Sequence, residues 1–181
     1  MNKIFDLIVK NHGLCIADAT FLVSPCFMEE FYPMLVNYNL QNENSVVVSV
    51  LPSSVLDLRK LAGSEDAALA QRAQYALNVV CKAMVKKRNF IEYFSNSATM
   101  FSNAVLLSLA VMERLQKPVT VLTQNKRLSA DLNSINNLKS CRGEEVSVYC
   151  FSEYGKLRKV CTACTDKLYR GTCLDSPEME K

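Results

Sequence analysis

Apolar residues recur along the chain in two rhythms. Short continuous runs are Leu14-Cys15-Ile16-Ala17, Val46-Val47-Val48-Ser49-Val50-Leu51 and Pro118-Val119-Thr120-Val121-Leu122-Thr123. Such runs predict strands buried on both faces, as in a parallel sheet. Asn89–Phe94 is a further short strand candidate, and Glu145–Phe151 alternates as an edge-like strand does. Between these runs the apolar spacing becomes three and four. Pro25–Tyr38 carries Phe27, Phe31, Met34 and Leu35, and Ser64–Arg88 carries Leu69, Ala73, Ala76, Val80 and Met84. Pro52–Leu61, closed by Gly63, Ala104–Leu115, preceded by Thr99 or Ser102, and Asn125–Leu138, with Leu128, Leu132 and Ile135 inward, complete the helices. Strand–helix–strand alternation predicts an α/β fold of three layers, α/β/α, around a central parallel sheet of about five strands. Residues 1–151 form this domain. Residues 152–181, with no strong period, read as a basic, cysteine-containing tail.

Length and composition change this picture little. The 181 residues suit one domain, and 49% hydrophobic residues suffice for a core. The net charge of +3 permits a polyanionic partner without demanding one. No apolar run approaches the roughly 18–20 residues of a membrane span, and Met1–Asp6 lacks a secretory pattern, so no membrane role and a cytoplasmic location are expected. Cys15, Cys26, Cys81 and Cys150 lie in apolar or helical stretches and read as small hydrophobes. Cys161, Cys164 and Cys173, with Cys150 or Cys141, are candidate zinc ligands, but the spacing is irregular and no second CxxC follows. Lys82, Lys86, Lys87 and Arg88 suit the negative end of their helix, and His12 stands without a partner in the sequence pattern.

Asp18 changes the picture more. A buried run ends there in a carboxylate, and burying an unpaired charge is costly. In open α/β sheets ligands sit beyond the carboxyl ends of the strands. Ile16-Ala17-Asp18-Ala19-Thr20 resembles the opening strand of the PIN domain family of metal-dependent ribonucleases. Val50-Leu51-Pro52-Ser53-Ser54-Val55-Leu56-Asp57-Leu58 is similar to that family's second strand and acid-bearing helix. Val121-Leu122-Thr123-Gln124-Asn125-Lys126-Arg127-Leu128 is similar to its strand ending in Thr-x-Asp, and Ser102–Leu107 is a weaker fourth match. The likeness covers about residues 12–151.

The resemblance implies a site of Asp18, Asp57, Asn103 and Asn125, binding Mg2+ or Mn2+ and cutting single-stranded RNA. It implies Thr20, Thr123, Lys126 and Arg127 as substrate-binding residues, and an inhibitory protein partner such as toxin-like members have. Two of the four acidic places are amides here, so the site is formally near −2 rather than −4, and a divalent cation would be held weakly. Neither Glu92 nor Asp131 is placed to compensate. The expectation is therefore a weakened or inactive ribonuclease, or the same fold kept as an RNA- or protein-binding module. Asn103 and Asn125 also suit helix N-caps, Asp18 suits a cap, and Asp57 suits a solvated helix face. An unrelated nucleotide-binding α/β protein is a third reading, opposed by the lack of a glycine-rich turn after Asp18.

Overall fold

A computed structural model describes residues 5–6, 13–43, 45–86, 91–93, 102–138 and 143–160, with backbone alone for 83–86, 91–93 and 102. In chain order the strands are β1 (Leu14–Ala17), β2 (Val48–Val50), β3 (Ile91–Tyr93), β4 (Val119–Leu122), β5 (Val146–Phe151) and β6 (Leu157–Lys159). The helices are α1 (Ala19–Leu22), α2 (Tyr32–Gln41), α3 (Pro52–Ala62), α4 (Ala67–Lys86), α5 (Ser102–Glu113) and α6 (Lys126–Ile135). The strands form one sheet in the order β3-β2-β1-β4-β5-β6, parallel except for β6. The fold is thus the expected three-layer α/β arrangement, with β1 in the middle.

β1 shows why the run Leu14–Ala17 is apolar throughout. Cys15 and Ala17 face one core with Phe21, Phe27, Phe31, Leu35 and Phe151, while Leu14 and Ile16 face the other with Leu106, Leu128 and Leu132. Alternate side chains of a strand point to opposite faces, and here both faces are covered. Burial pushes the Cys15 thiol up to about 12, which leaves it an inert part of the packing. Cys81, in contrast, is exposed on α4 rather than packed in the core.

Two asparagines set the entry into strands on the two halves of the sheet. Asn39, on α2, gives its Nδ2 proton to Val46 O at 2.8 Å and accepts from Val46 N at 2.8 Å. Asn136, just after α6, does the same with Val146, at 2.9 Å in both directions. Each amide stands in for one residue of a neighbouring strand and satisfies buried backbone that the sheet does not reach.

Three further sequence expectations need correction. Pro25–Tyr38 is not one regular α-helix, because Phe27–Phe31 winds as a π-helix before α2. Pro33 has no N–H to close an α-turn on the carbonyl of Glu29, and its ring crowds that carbonyl, so widening this turn accommodates it. β5 is not an edge strand, because β6 pairs along it through Tyr149↔Lys159, Cys150↔Arg158 and Phe151↔Leu157. Residues 152–160 consequently belong to the sheet rather than to a tail. Ser152 and Gly155 close a tight turn, Val160 is buried against the α6 side, and Asn133 Nδ2 donates to Val160 O. The short Leu157–Lys159 stretch carries too few apolar residues to show a period.

Cys141, Cys161, Cys164 and Cys173 of the zinc expectation lie outside the described residues, as do His12 and residues 161–181. Among the described residues no helix is long and apolar enough to cross a membrane.

Candidate functional site

The sheet order places β2 and β3 on one side of β1 and β4 and β5 on the other. Successive crossovers therefore run in opposite directions from the β1–β4 pair. In open α/β sheets the edge beyond the carboxyl ends of two such strands is the usual ligand position. Asp18 directly follows β1 and Thr123 directly follows β4. The residue pair Ala17↔Leu122 holds these two chain ends level.

Asp18 is the hub of a hydrogen-bond cluster at that edge. Its Oδ1 accepts from Phe21 N at 2.9 Å, which caps α1. Its Oδ2 accepts from Thr123 Oγ1 at 2.7 Å. Thr20 Oγ1 lies 2.8 Å and 2.9 Å from the two oxygens and shares one proton between them. The threonine hydroxyls also accept, Thr20 Oγ1 from Gln124 N at 2.9 Å and Thr123 Oγ1 from Asn125 N at 3.0 Å. Each hydroxyl has one proton, and both protons go to Asp18, so the 3.3 Å contact between the two hydroxyls carries no proton of its own. The carboxylate is thereby connected through two threonines to the amides that lead into α6.

Asp18 is buried, and Thr123 is wholly so. Burial raises the Asp18 carboxyl above its ordinary range, while the donors from Thr123, Phe21 and Thr20 act in the opposite direction. The surroundings are closely packed. Phe21 stacks on Phe151 with centroids 4.7 Å apart and planes at 11°, and Arg72 Nε donates to Val23 O at 2.9 Å, at the end of α1.

The other expected residues divide into two groups. Asn125 is the N-cap of α6, its Oδ1 accepting from Leu128 N at 3.1 Å, and it joins the cluster through Thr123. Lys126 and Arg127 follow it as exposed residues of the first helical turn. Asp57 sits on the first half of α3, half-buried, with Lys60 Nζ 3.8 Å away. Asn103 is exposed inside the first turn of α5 rather than capping it. Among the described residues no hydrogen bond or ion pair joins Asp57 or Asn103 to Asp18. Thr20 and Thr123, expected to meet substrate, have their hydroxyls engaged by Asp18.

A Mg2+ or Mn2+ ion needs several open, preferably charged oxygen ligands. Asp18 already receives three protons on its roughly four lone-pair positions, and the Asn125 oxygen is committed to its cap. As they stand, these side chains offer less charge and fewer open oxygens than such a cage requires. Among the described residues no group of three or more His, Cys, Asp or Glu comes together as a metal site.

The helix starts at this edge favour anions instead. The first turns of α3 and α6 hold no acidic residue, and Leu51 gives α3 no side-chain cap. The first-turn N–H groups that no cap takes up present partial positive charge at this edge. Two features escaped the sequence reading. Ser53 Oγ, in the first turn of α3, is buried without a hydrogen-bond partner, and Tyr154 is 71% exposed on the β5–β6 turn. Tyr154 reaches this edge because it follows β5, and the pairing of β6, which has no sequence period, sets it in a turn there. Comparison with known proteins finds no family model that matches the chain and no similar curated relative.

Proposed function

We propose that this chain is a PIN-like α/β domain that binds single-stranded RNA across the carboxyl edge of its sheet and, in this sequence, does not cleave it. The observation that carries the reading is the position of Lys126 and Arg127. Both are exposed in the first turn of α6, with no acid in that turn. Cations there face the positive end of the helix dipole, which costs about 0.3–1 kcal/mol each. Helix stability does not explain their presence, whereas a polyanion lying on the helix start would be attracted by both the dipole and the side chains.

Asp18 supports the non-cleaving half of the proposal. Its oxygens hold the β1 and β4 ends together and have little capacity left for a metal or for a water to be activated. Asn125 cannot act as a base, because an amide does not take up a proton at neutral pH.

The test is binding of a labelled single-stranded RNA to the full chain over a range of salt concentrations. Affinity should fall steeply with salt, with a log–log slope of about −0.7 for each phosphate neutralised. RNA length should remain unchanged in the presence of Mn2+. Failure to bind at low salt would sink the proposal, and Mn2+-dependent shortening of the RNA would replace the binding module with a nuclease.

A further inference from the structure

The β5–β6 hairpin stands as a wall beside the carboxyl end of β4. Leu122, the last residue of β4, pairs with Tyr149, and β5 then continues through Cys150 and Phe151. Two more residues of strand carry the hairpin about 7 Å beyond the end of β4. The wall is braced on both sides. Phe151 is stacked on Phe21, and the turn is closed by Ser152 N donating to Lys156 O, Gly155 N to Ser152 O and Lys156 N to Ser152 Oγ. Gly155, at φ +74°, lies so close to Glu30 that an added Cβ would come within 2.8 Å of its Oε1.

Tyr154, at the tip of this turn, exposes 71% of its surface. A large aromatic so exposed adds little packing to the fold. Its neighbours are mixed in charge, with Glu153 and Glu30 close by and Lys156 following in the turn. The turn of Lys126 and Arg127 leaves the adjacent strand, and Thr123 N bonds to Tyr149 O between them. Both therefore stand at the same carboxyl edge of the sheet, on neighbouring strands about 4.8 Å apart, the hairpin turn against Cys26 and Glu30 on one layer and the basic turn opening α6 on the other. Cationic tracks flanked by exposed aromatic rings are how proteins hold unpaired nucleotides without reading their sequence.

Resting on the RNA-binding reading, we propose that Tyr154 is a stacking platform for an unpaired base of an RNA strand whose phosphates lie on Lys126 and Arg127. The ring requires a base face that is open. The site therefore selects single strands over duplex and tolerates any base.

The experiment compares a short oligouridylate, and the same strand annealed to its complement, on the wild-type chain, Tyr154→Ala, Tyr154→Phe and Lys126→Ala/Arg127→Ala. Tyr154→Ala should weaken single-strand binding by about 5- to 150-fold, the range that removing one stacked base gives, and leave duplex binding unchanged. Tyr154→Phe should bind as the wild type does. Ultraviolet irradiation of the wild-type complex should crosslink the peptide containing Tyr154. If Tyr154→Ala binds normally while the double basic variant is weakened, stacking is wrong and the RNA-binding reading stands. If Tyr154→Phe is as weak as Tyr154→Ala, the hydroxyl acts rather than the ring, which also overturns stacking. If the wild-type chain binds neither probe, both fall.

Discussion

Thr123 Oγ1 donates to Asp18 Oδ2 across 2.7 Å, joining residues 105 positions apart in the chain. The bond ties the end of β1 to the end of β4 at the place where the crossovers reverse. Neither residue is replaceable by a purely local argument. Without Thr123 a buried carboxylate loses a donor, and without Asp18 the hydroxyls of Thr20 and Thr123 and the N–H of Phe21 lose their common acceptor.

Thr123→Val tests this bond at nearly constant volume. A hydrogen bond to a charged, buried acceptor contributes about 1.5–3 kcal/mol, and Asn125 N loses its acceptor as well. We expect a loss of about 2–4 kcal/mol in urea unfolding, with Thr123→Ser recovering most of it. A valine variant as stable as the wild type would show that the bond contributes nothing net.

The pH dependence of Asp18 has a definite sign. Its folded-state carboxyl is raised by burial, so the folded state binds the proton more tightly than the unfolded chain does. The associated stability is fully present below the unfolded value of about 3.9 and is lost as pH rises through the higher folded value. Measured against Asp18→Asn, the wild type should be relatively most stable at low pH and lose ground as pH rises. A difference that moves the other way would mean that the donors from Thr123, Phe21 and Thr20 outweigh desolvation.

Periodicity makes the parallel sheet legible, because β1, β2 and β4 are buried on both faces and show it as unbroken apolar runs. Asp18 is visible for the same reason, since a charge at the end of such a run has to be accounted for. Its threonine partners are visible as residues but not in their role. Which hydroxyl points at a carboxylate depends on the register of β1 against β4, and that register is set by tertiary packing. The β5–β6 hairpin is not legible, because Leu157–Lys159 pairs mainly through backbone and exposes its charged side chains. Tyr154 is hidden with it.

Lys126 and Arg127 should show opposite effects on stability and binding. Replacing either with Ala removes a cation from the positive end of α6, which should stabilise the fold by about 0.3–1 kcal/mol at low salt. The same change should weaken single-stranded RNA binding and make its salt slope shallower by about 0.7 for each phosphate that is no longer neutralised. Thermal unfolding beside salt-dependent titration checks both. Lower stability of the alanine variants would mean that these side chains serve the fold and would remove the argument for a functional anion site.

Charge restoration tests the relation between this chain and a metal-dependent nuclease. Asn125 caps α6 with one oxygen, and aspartate caps helices as well as asparagine does, so Asn125→Asp should keep the bond to Leu128 N and leave a second, charged oxygen. Asn103 is exposed, so Asn103→Asp should be tolerated by the fold. In the absence of metal two effects oppose each other. The new charge at position 125 is favoured by the α6 dipole and repelled by Asp18 if that group is ionised. We therefore expect the apo stability of the double variant to change little and its response to Mn2+ to change much. An ion at 100 times its dissociation constant adds about 2.7 kcal/mol to a protein that binds it only when folded. The melting temperature of Asn103→Asp/Asn125→Asp should accordingly rise with Mn2+, while that of the wild type stays near its metal-free value. Equal responses would show that these positions do not share a metal site with Asp18 and Asp57. A selective response accompanied by cleavage of single-stranded RNA would identify charge at these two positions as a requirement of the reaction. A selective response without cleavage would mean that the hydrogen bonds from Thr20 and Thr123 to Asp18 hold its oxygens away from the reaction even when the ion is bound.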